Sequence, residues 1–533
     1  MSRDAERFDV LIIGAGFAGM YMLHRLRLAG FSARVFEVGD DVGGTWYWNR
    51  YPGARCDVES VEYAYEFSPE LVQEWDWTER YAAQPEILKY ANHVADRFDL
   101  RRDIQFDCRI ASAHYDAEEP HWTLTDTAGQ QYHSQFCVFA TGCLSVPIKP
   151  DVPGLESFAG EIFYTGEWPH QPVDFSGQRV GVIGTGSSGI QSIPLIAEQA
   201  QQLTVFQRSA SYTVPARNEP LDPQLREAVK ADYPAFRQRS RDSGYIFGAR
   251  MPANAGFASC LSPSEQQMHL ENYWRIGGLF FARAFGDMQL DTGANAIAQE
   301  FVRTKIRDLV HDPEVAERLC PDAIIGCKRL CADTGYYETY NRPNVSLVDI
   351  NAAPIESITE KGLRTSDAEY PLDALVFATG FDAMTGALDR VDIRGASGQR
   401  LSDVWQYGPA TLLGVQTAGF PNLFMITGPG SPSVLSNMLQ SIEQNVEWIT
   451  DLLKYMREHE HECVEAQADQ QTVWMEYVAA MAETTLYTRC NSWYRGANIE
   501  GKPQVFSPCV GYNQYVEYCD EVAAAGYSGF DFG

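Results

Sequence analysis

The 533-residue chain contains no CxxC pair, no apolar run of 18 residues, no low-complexity tract and few cations for its size. Without a CxxC pair it offers neither a redox dithiol nor the paired thiolates of a zinc site. Its twelve cysteines are scattered from Cys56 to Cys519, and the closest pairs, Cys327/Cys331 and Cys137/Cys143, have neither spacing. They are expected to be reduced thiols, and no metal site is expected. The lack of a long apolar run excludes a membrane-spanning helix. The polar start Ser2-Arg3-Asp4-Ala5-Glu6-Arg7 lacks the apolar centre of a signal peptide, so a cytoplasmic protein is expected. With 42 Lys+Arg against 71 Asp+Glu the net charge is −29, the wrong sign for a general binder of nucleic acid or anionic membrane. A bound phosphate stays open, because screening acts over ~8 Å and local cations can override a distant field.

What is present is a long, well-patterned chain. Its length suits roughly three or four domain-sized units, and 12% aromatic residues suffice for apolar pockets. Phe8-Asp9-Val10-Leu11-Ile12-Ile13 is a short apolar run of the kind that forms a strand buried on both faces. Gly14-Ala15-Gly16-Phe17-Ala18-Gly19 follows, then a helix from Met20 to Ala29 stopped by Gly30, then the strand Ala33-Arg34-Val35-Phe36-Glu37. This is a βαβ unit. The pattern recurs as Arg179 to Ile183, then Gly184-Thr185-Gly186-Ser187-Ser188-Gly189, a helix to about Ala200, and the strand Leu203 to Gln207. Two more apolar strands, Phe136 to Phe139 and Leu375 to Phe377, each end in Ala-Thr-Gly: Ala140-Thr141-Gly142 and Ala378-Thr379-Gly380. Between 219 and 323 the texture becomes charged and helical in period. Ile297, Phe301, Val302, Ile306, Leu309 and Val310 share one face there, and Asp312-Pro313 stops the run.

The expected fold is therefore α/β, with two Rossmann-like dinucleotide-binding domains and a helical insertion. The first domain spans 1–142 and 382–533, the second 143–218 and 324–381, and the insertion 219–323.

Each glycine loop lies between a buried strand and a helix, the context a pyrophosphate site requires. Glycines permit the tight turn and the close approach of backbone to phosphate, and the helix start offers unpaired N–H groups. The end of the second strand separates the two nucleotides. Glu37, 23 residues after Gly14, is placed to accept hydrogen bonds from ribose hydroxyls. The second copy has Gln207-Arg208-Ser209 there, and a guanidinium can bind a 2′-phosphate that a carboxylate would repel. The first domain is accordingly assigned to FAD and the second to NADPH. Two nucleotide domains without a CxxC pair exclude the dithiol reductases and leave electron transfer from NADPH through flavin to dioxygen.

Two further motifs carry a resemblance. Phe158-Ala159-Gly160-Glu161-Ile162-Phe163-Tyr164-Thr165-Gly166-Glu167-Trp168-Pro169 resembles the FxGxxxHxxxWP fingerprint of type I Baeyer–Villiger monooxygenases, with Tyr164 in place of histidine. Gly44-Thr45-Trp46, Tyr51-Pro52-Gly53 and Asp57 match the family's GxWxxxxYPGxxxD element. Lys328-Arg329, the loop Gly428 to Ser433 and Trp493-Tyr494 are similar to the phenylacetone and steroid-ketone subgroup. The resemblance implies insertion of one oxygen atom of dioxygen beside a ketone carbonyl, giving an ester or lactone, through a flavin peroxide.

It also implies residue roles. Arg329 would stabilise the anionic oxygen, with Asp57 as its partner, and Lys328 would join Arg208 and Ser209 at the 2′-phosphate. Gly14, Gly16, Phe17, Gly19, Glu37, Gly44, Thr45 and Trp46 would contact FAD. Gly184, Gly186, Ser187, Ser188, Gly189, Ala378, Thr379 and Gly380 would lie at the cofactors. Cys143, Leu144, Ser433, Val434, Leu435, Met438 and Trp493 would line a pocket for a small apolar ketone. A tyrosine at the fingerprint position keeps a planar hydrogen-bonding ring but cannot carry positive charge near neutral pH. An N- or S-oxygenating flavin monooxygenase is the nearest alternative and a nonenzymatic FAD/NAD(P)H redox sensor a remote one. A monomer or small homo-oligomer is expected.

Overall fold

The computed structural model of the protein describes residues 6–244, 248–252 and 256–533. In chain order, β1 (Glu6–Ile13), β2 (Ala33–Phe36), β3 (Ile104–Gln105), β4 (Ile110–Asp116), β5 (His121–Asp126) and β6 (Gln131–Phe139) build most of a first sheet. β7 (Glu161–Tyr164), β8 (Arg179–Ile183) and β9 (Gln202–Gln207) begin a second. β10 (Thr213–Pro215) pairs with β11 (Cys331–Asp333), and β12 (Val345–Asp349) returns to the second sheet. β13 (Ile355–Thr359), β14 (Gly362–Thr365) and β15 (Glu369–Pro371) form an antiparallel ribbon before β16 (Ala374–Phe377). β17 (Asp392–Arg394) and β18 (Leu423–Met425) rejoin the first sheet.

The first sheet has the order β17-β4-β5-β6-β1-β2-β3, with β18 also on β6; the second has β12-β9-β8-β16-β7. The second is parallel throughout, and Val180, Val182, Leu203, Val205, Ala374 and Val376 in its centre are wholly buried. That explains why these strands read as apolar runs rather than alternating ones.

Five helices frame the site and its supports: α1 (Phe17–Leu28), α2 (Ser187–Gln199), α3 (Tyr233–Asp242), α4 (Thr292–Leu309) and α5 (Met438–Glu458). α1 and α2 start at the fourth residue of their glycine loops, Phe17 and Ser187, with the third residues Gly16 and Gly186 as N-caps. α4 buries Ala294, Ala298, Phe301, Val302 and Ile306, and the Asp291 side chain caps its start by accepting from Ala294 N at 2.8 Å. Ile297 and Leu309, expected on the buried face, lie at its edge, and the smaller alanines take the tight contact instead. Among the described residues no helix is long and apolar enough to cross a membrane.

The helical region attaches to the first sheet's domain through a buried arginine. Arg237 on α3 donates through Nη1 to the Glu62 carbonyl at 2.7 Å and through Nη2 to the Ala64 carbonyl, with Glu66 at 3.3 Å from its Nε. Glu443 on α5 faces the same junction and accepts from the backbone N–H of Glu66 at 2.7 Å and of Phe67 at 3.1 Å. Burial pushes the Glu62 carboxyl up to about 7, and burial together with the nearby Glu66 pushes Glu443 up to about 8. In the unfolded chain both titrate near ~4.3. Folding therefore retains protons that the unfolded chain has released, so this contribution to stability is complete below about pH 4 and fades as pH rises through about 7 to 8.

One expectation is overturned. Cys327 and Cys490 are joined in a disulfide with their Cα atoms 5.5 Å apart, so the cysteines are not all reduced thiols. The other ten are free. Spacing gave no sign of this bond, because its halves are 163 residues apart and only packing brings them together. It ties the segment before Lys328-Arg329 to the segment before Trp493.

These contacts have two measurable consequences. Thermal melting monitored from pH 5 to 8 should show stability falling with pH, by at most ~1.4 kcal/mol per pH unit for each of the two carboxyls. Glu443→Gln should flatten that slope, and an unchanged slope would remove Glu443 from the account. Closing so long a loop stabilises by up to about 5 kcal/mol, so Cys490→Ser should lower the melting temperature by several degrees. A thiol reductant should do the same to the unmodified protein; melting insensitive to reductant would mean the two thiols are unbonded.

Candidate active site

The two nucleotide loops are built alike. Gly14 has φ +104° and Gly184 φ +110°, both left-handed values that favour glycine. A Cβ on Gly14 would stand 2.7 Å from the Ala140 carbonyl oxygen, and one on Gly184 would stand 2.4 Å from that of Ala378. The repeated Ala-Thr-Gly is thus the strand end against which the first glycine of each loop packs. The third glycines press on the first: a Cβ at Gly19 would lie 1.8 Å from Gly14 O, and at Gly189 2.3 Å from Gly184 O. Gly186 by contrast opens onto clear space, and neither helix start is capped by a side chain or crowded by an acid in its first turn. Such a cradle, with unpaired N–H groups at its floor, fits a pyrophosphate in both domains.

Gly44, at φ +51°, closes over the first loop; a Cβ on it would meet Gly16 Cα at 2.8 Å. The helical turn Thr45–Trp48 comes next, and Trp46 Nε1 donates to Tyr63 OH at 3.0 Å. Phe17 is buried among Tyr63, Tyr65 and Tyr90. Glu37 is more engaged than its position in the sequence suggests. It is buried, its two carboxylate oxygens accept from Ala15 N at 2.7 Å and Gly39 N at 2.9 Å, and burial raises its pKa. Each oxygen keeps a second lone pair for a hydroxyl donor.

A cleft of about 650 Å³ runs along the second domain past Arg208, Ser209, Asn351, Lys328 and Arg329. Lys328 Nζ donates to Ser209 Oγ at 3.3 Å. Burial and the nearby Arg208 both lower the Lys328 pKa. Lys328 and Arg208 are neighbouring cations, and a bound phosphate would relieve their repulsion. Thr379 turns away from this cleft and donates to the Ile148 carbonyl at 2.7 Å, holding the strand end of β16.

At the cleft's inner end Arg329 meets Asp57 across 272 residues of sequence. Nε and Nη2 bind the two carboxylate oxygens, the latter at 2.9 Å, and Nη1 donates to the Val434 carbonyl at 2.8 Å. About a quarter of each side chain, 24%, stays accessible. Burial alone would lower the arginine's pKa, but the adjacent Asp57 overrides it and the net shift is upward. The guanidinium is a permanent cation with three of its five N–H donors used.

Beside this pair lies an apolar cluster. Cys143, Val434, Tyr494 and Phe506 are buried in it, and Leu144, Leu435, Met438 and Trp493 pack around them. All the expected pocket residues except Ser433 belong to this cluster. Ser433 precedes Val434 at a strained φ of +44° and is fully buried. Tyr487, Phe506 and Val510 also belong to the cluster and carry no signal in the sequence that would place them there. Tyr487 and Phe506 stack at 5.5 Å, 19 residues apart in a stretch with no periodicity to reveal it.

Tyr164 ends β7, opposite Phe377 in the register. Its ring stacks on Phe377 at 5.2 Å and 15°, with Lys149 Nζ 5.2 Å from the ring. A cation placed on the ring face is attracted to it, whereas a protonated histidine there would repel it. Trp168 of the same motif stacks on Phe163 at 5.1 Å and donates its backbone N–H to the Trp48 carbonyl at 3.4 Å, linking the two motifs.

A family model described as pyridine nucleotide-disulphide oxidoreductase matches residues 11–234. Phenazine N-monooxygenase PhzNO1 of Lysobacter antibioticus is 41% identical over 544 residues, covering 99% of this chain and 98% of the relative. A Baeyer–Villiger monooxygenase of Pseudooceanicola batsensis is also 41% identical, covering 98% of this chain and 95% of the relative. The solved structure of an oxidized steroid monooxygenase bound to NADP is 50% identical, with a TM-score of 0.94 and 99% of each chain covered. With identity at this level over nearly the full length, the chain belongs to the Baeyer–Villiger monooxygenase family.

Proposed function

We propose that this protein is an FAD- and NADPH-dependent monooxygenase that inserts one oxygen atom of dioxygen beside the carbonyl of an apolar ketone, releasing an ester or lactone. The observation that carries this reading is the Arg329–Asp57 pair set against an apolar cluster. FAD, when bound and reduced by NADPH, supplies the activation of dioxygen.

The protein's residues do the rest. The loop at Gly14, Gly16 and Gly19, with Phe17, Glu37 and the closing segment Gly44-Thr45-Trp46, holds the flavin nucleotide. Gly184, Gly186, Ser187, Ser188 and Gly189 hold the nicotinamide nucleotide, and Arg208, Ser209 and Lys328 read its 2′-phosphate. Ala378-Thr379-Gly380 braces that loop. Arg329 uses its two remaining N–H donors to hold negative charge on the attacking oxygen, and it cannot lose its own proton. Asp57 aims the guanidinium and keeps it from being a lone buried cation. Cys143, Leu144, Val434, Leu435, Met438 and Trp493 exclude water that would protonate the oxygen, and Ser433 fixes the turn that delivers the Val434 carbonyl to Arg329. Intracellular NADPH supports a cytoplasmic location, and the proposal includes a monomer or small homo-oligomer.

The phenazine N-monooxygenase relative favours a second reading, oxygenation of a ring nitrogen. That chemistry needs a protonated, electrophilic oxygen. A permanent cation paired with a carboxylate favours the anion instead, so the ketone reading stands first.

A ketone panel with purified protein, NADPH and FAD tests the choice. Esters or lactones heavier than the ketone by one oxygen are expected, and N-oxide formation without any ester would overturn the ketone reading. In Arg329→Ala, stopped-flow reduction of the flavin by NADPH should persist while oxygenation falls about 10²–10³-fold, the loss typical of removing a group that stabilises developing negative charge. Full oxygenation in that variant would refute the role given to Arg329. Arg208→Ala should raise the KM for NADPH about ten- to a hundredfold, from a charge-assisted bond worth ~1.5–3 kcal/mol, and leave the KM for NADH nearly unmoved. Equal changes for both nucleotides would mean that Arg208 does not read the phosphate.

A further inference from the structure

The helix that begins at the second glycine loop also touches the segments that carry Arg329 and Asp57, at Cys331 and at Tyr51 and Arg55. Ser187 and Gln191 lie one turn apart on α2 and share a face. Ser187 Oγ is 3.2 Å from the Cys331 thiol, and Cys331 comes two residues after Arg329 and donates to its carbonyl at 3.6 Å. Gln191 uses both ends of its amide. Its Oε1 accepts from Tyr51 OH at 2.8 Å, and its Nε2 donates to the Arg55 carbonyl at 3.0 Å, two residues before Asp57. Between them Gly53, at φ +82°, lets the loop lie directly on the helix: a Cβ there would stand 2.2 Å from the Gln191 carbonyl oxygen. Burial raises the Tyr51 pKa, so the phenol keeps its proton and remains a donor.

We infer that Gln191 is a positioning residue that transmits nicotinamide-nucleotide occupancy at the start of α2 to Asp57, and so to the orientation of Arg329. It rests on the proposed function only for the binding of FAD and NADP(H), not for the identity of the oxygen acceptor. α2 receives the dinucleotide at its N-terminus and is a continuous helix over its thirteen residues. A nucleotide that seats the first turn therefore fixes Gln191 one turn later, and the two-pronged amide fixes the loop 51–57. Because coupling between two sites is reciprocal, loosening the loop must weaken the nucleotide.

Gln191→Leu removes both hydrogen bonds at similar volume, Gln191→Glu keeps the acceptor for Tyr51 but removes the donor toward Arg55, and Tyr51→Phe removes the phenol donor alone. The first readout is the affinity of the oxidised FAD-loaded protein for NADP⁺, by titration calorimetry. The second is the fraction of NADPH lost as NADPH + H⁺ + O2 → NADP⁺ + H2O2, by peroxide assay. Gln191→Leu should weaken NADP⁺ about five- to tenfold, the low end of what two neutral hydrogen bonds contribute because the effect reaches the nucleotide indirectly, and raise the peroxide fraction severalfold. Gln191→Glu and Tyr51→Phe should fall between it and the unmodified protein. Tyr51→Phe should add little on a Gln191→Leu background, since both remove the same bond.

A merely structural Gln191 would lower the melting temperature and leave NADP⁺ affinity and the peroxide fraction where they were; that result overturns the inference. If Gln191→Leu does not fold, Tyr51→Phe is judged by the same two readouts. If no ketone yields an ester yet the peroxide fraction shifts as stated, the reading of the substrate fails and this one stands.

Discussion

The contact between Arg329 and Asp57 constrains everything around it. A guanidinium in an apolar surround is tolerable only when an anion lies close and its donors are satisfied. Here one carboxylate and one backbone carbonyl do that with three N–H groups. The two other N–H groups are not used by these partners. Asp57 lies in the loop that rests on α2, Arg329 lies just before β11, and the Val434 carbonyl comes from the strained turn at Ser433. The pair therefore exists only when both nucleotide domains and the 428–438 loop are packed together.

The nucleotide loops achieve their shape by a simpler device used twice. In each domain a glycine with positive φ is pressed against the carbonyl of an alanine that ends a neighbouring parallel strand, and a third glycine packs on the first. Any side chain at these positions would collide with backbone, which cannot step aside. Two further features brace the structure around the site. Tyr164 replaces a potential cation with a ring that receives Lys149 on its face and stacks on Phe377. The Cys327–Cys490 bond ties the approach to Lys328-Arg329 to the aromatic segment at Trp493.

Much of the fold was legible because its determinants are local. Apolar runs of four to six residues declared the central strands, and the spacing of glycines declared the turns. The assignment of FAD to the first domain and NADPH to the second rests on Glu37 against Arg208, since charge at the end of the second strand acts on whatever binds there. Glu37 nevertheless proved to be shared with two backbone donors, which no residue count could foretell. Val434, Leu435, Met438 and Trp493 gather in one apolar cluster without Ser433, and Tyr487, Phe506 and Val510 join them from a stretch without periodicity.

What the sequence by itself determined was the set of units: two glycine-loop nucleotide domains, a helical region, and an arginine and an aspartate in recognisable motifs. Local sterics and periodicity suffice for that, because a tight turn or a buried strand is decided by residues a few positions apart. Only the tertiary structure decided which units touch. Arg329 meets Asp57 over 272 residues, Cys327 meets Cys490 over 163, and Gln191 meets Tyr51 over 140. Contacts at such separations depend on how whole sheets and helices pack, and packing is a property of the summed surfaces rather than of any one segment.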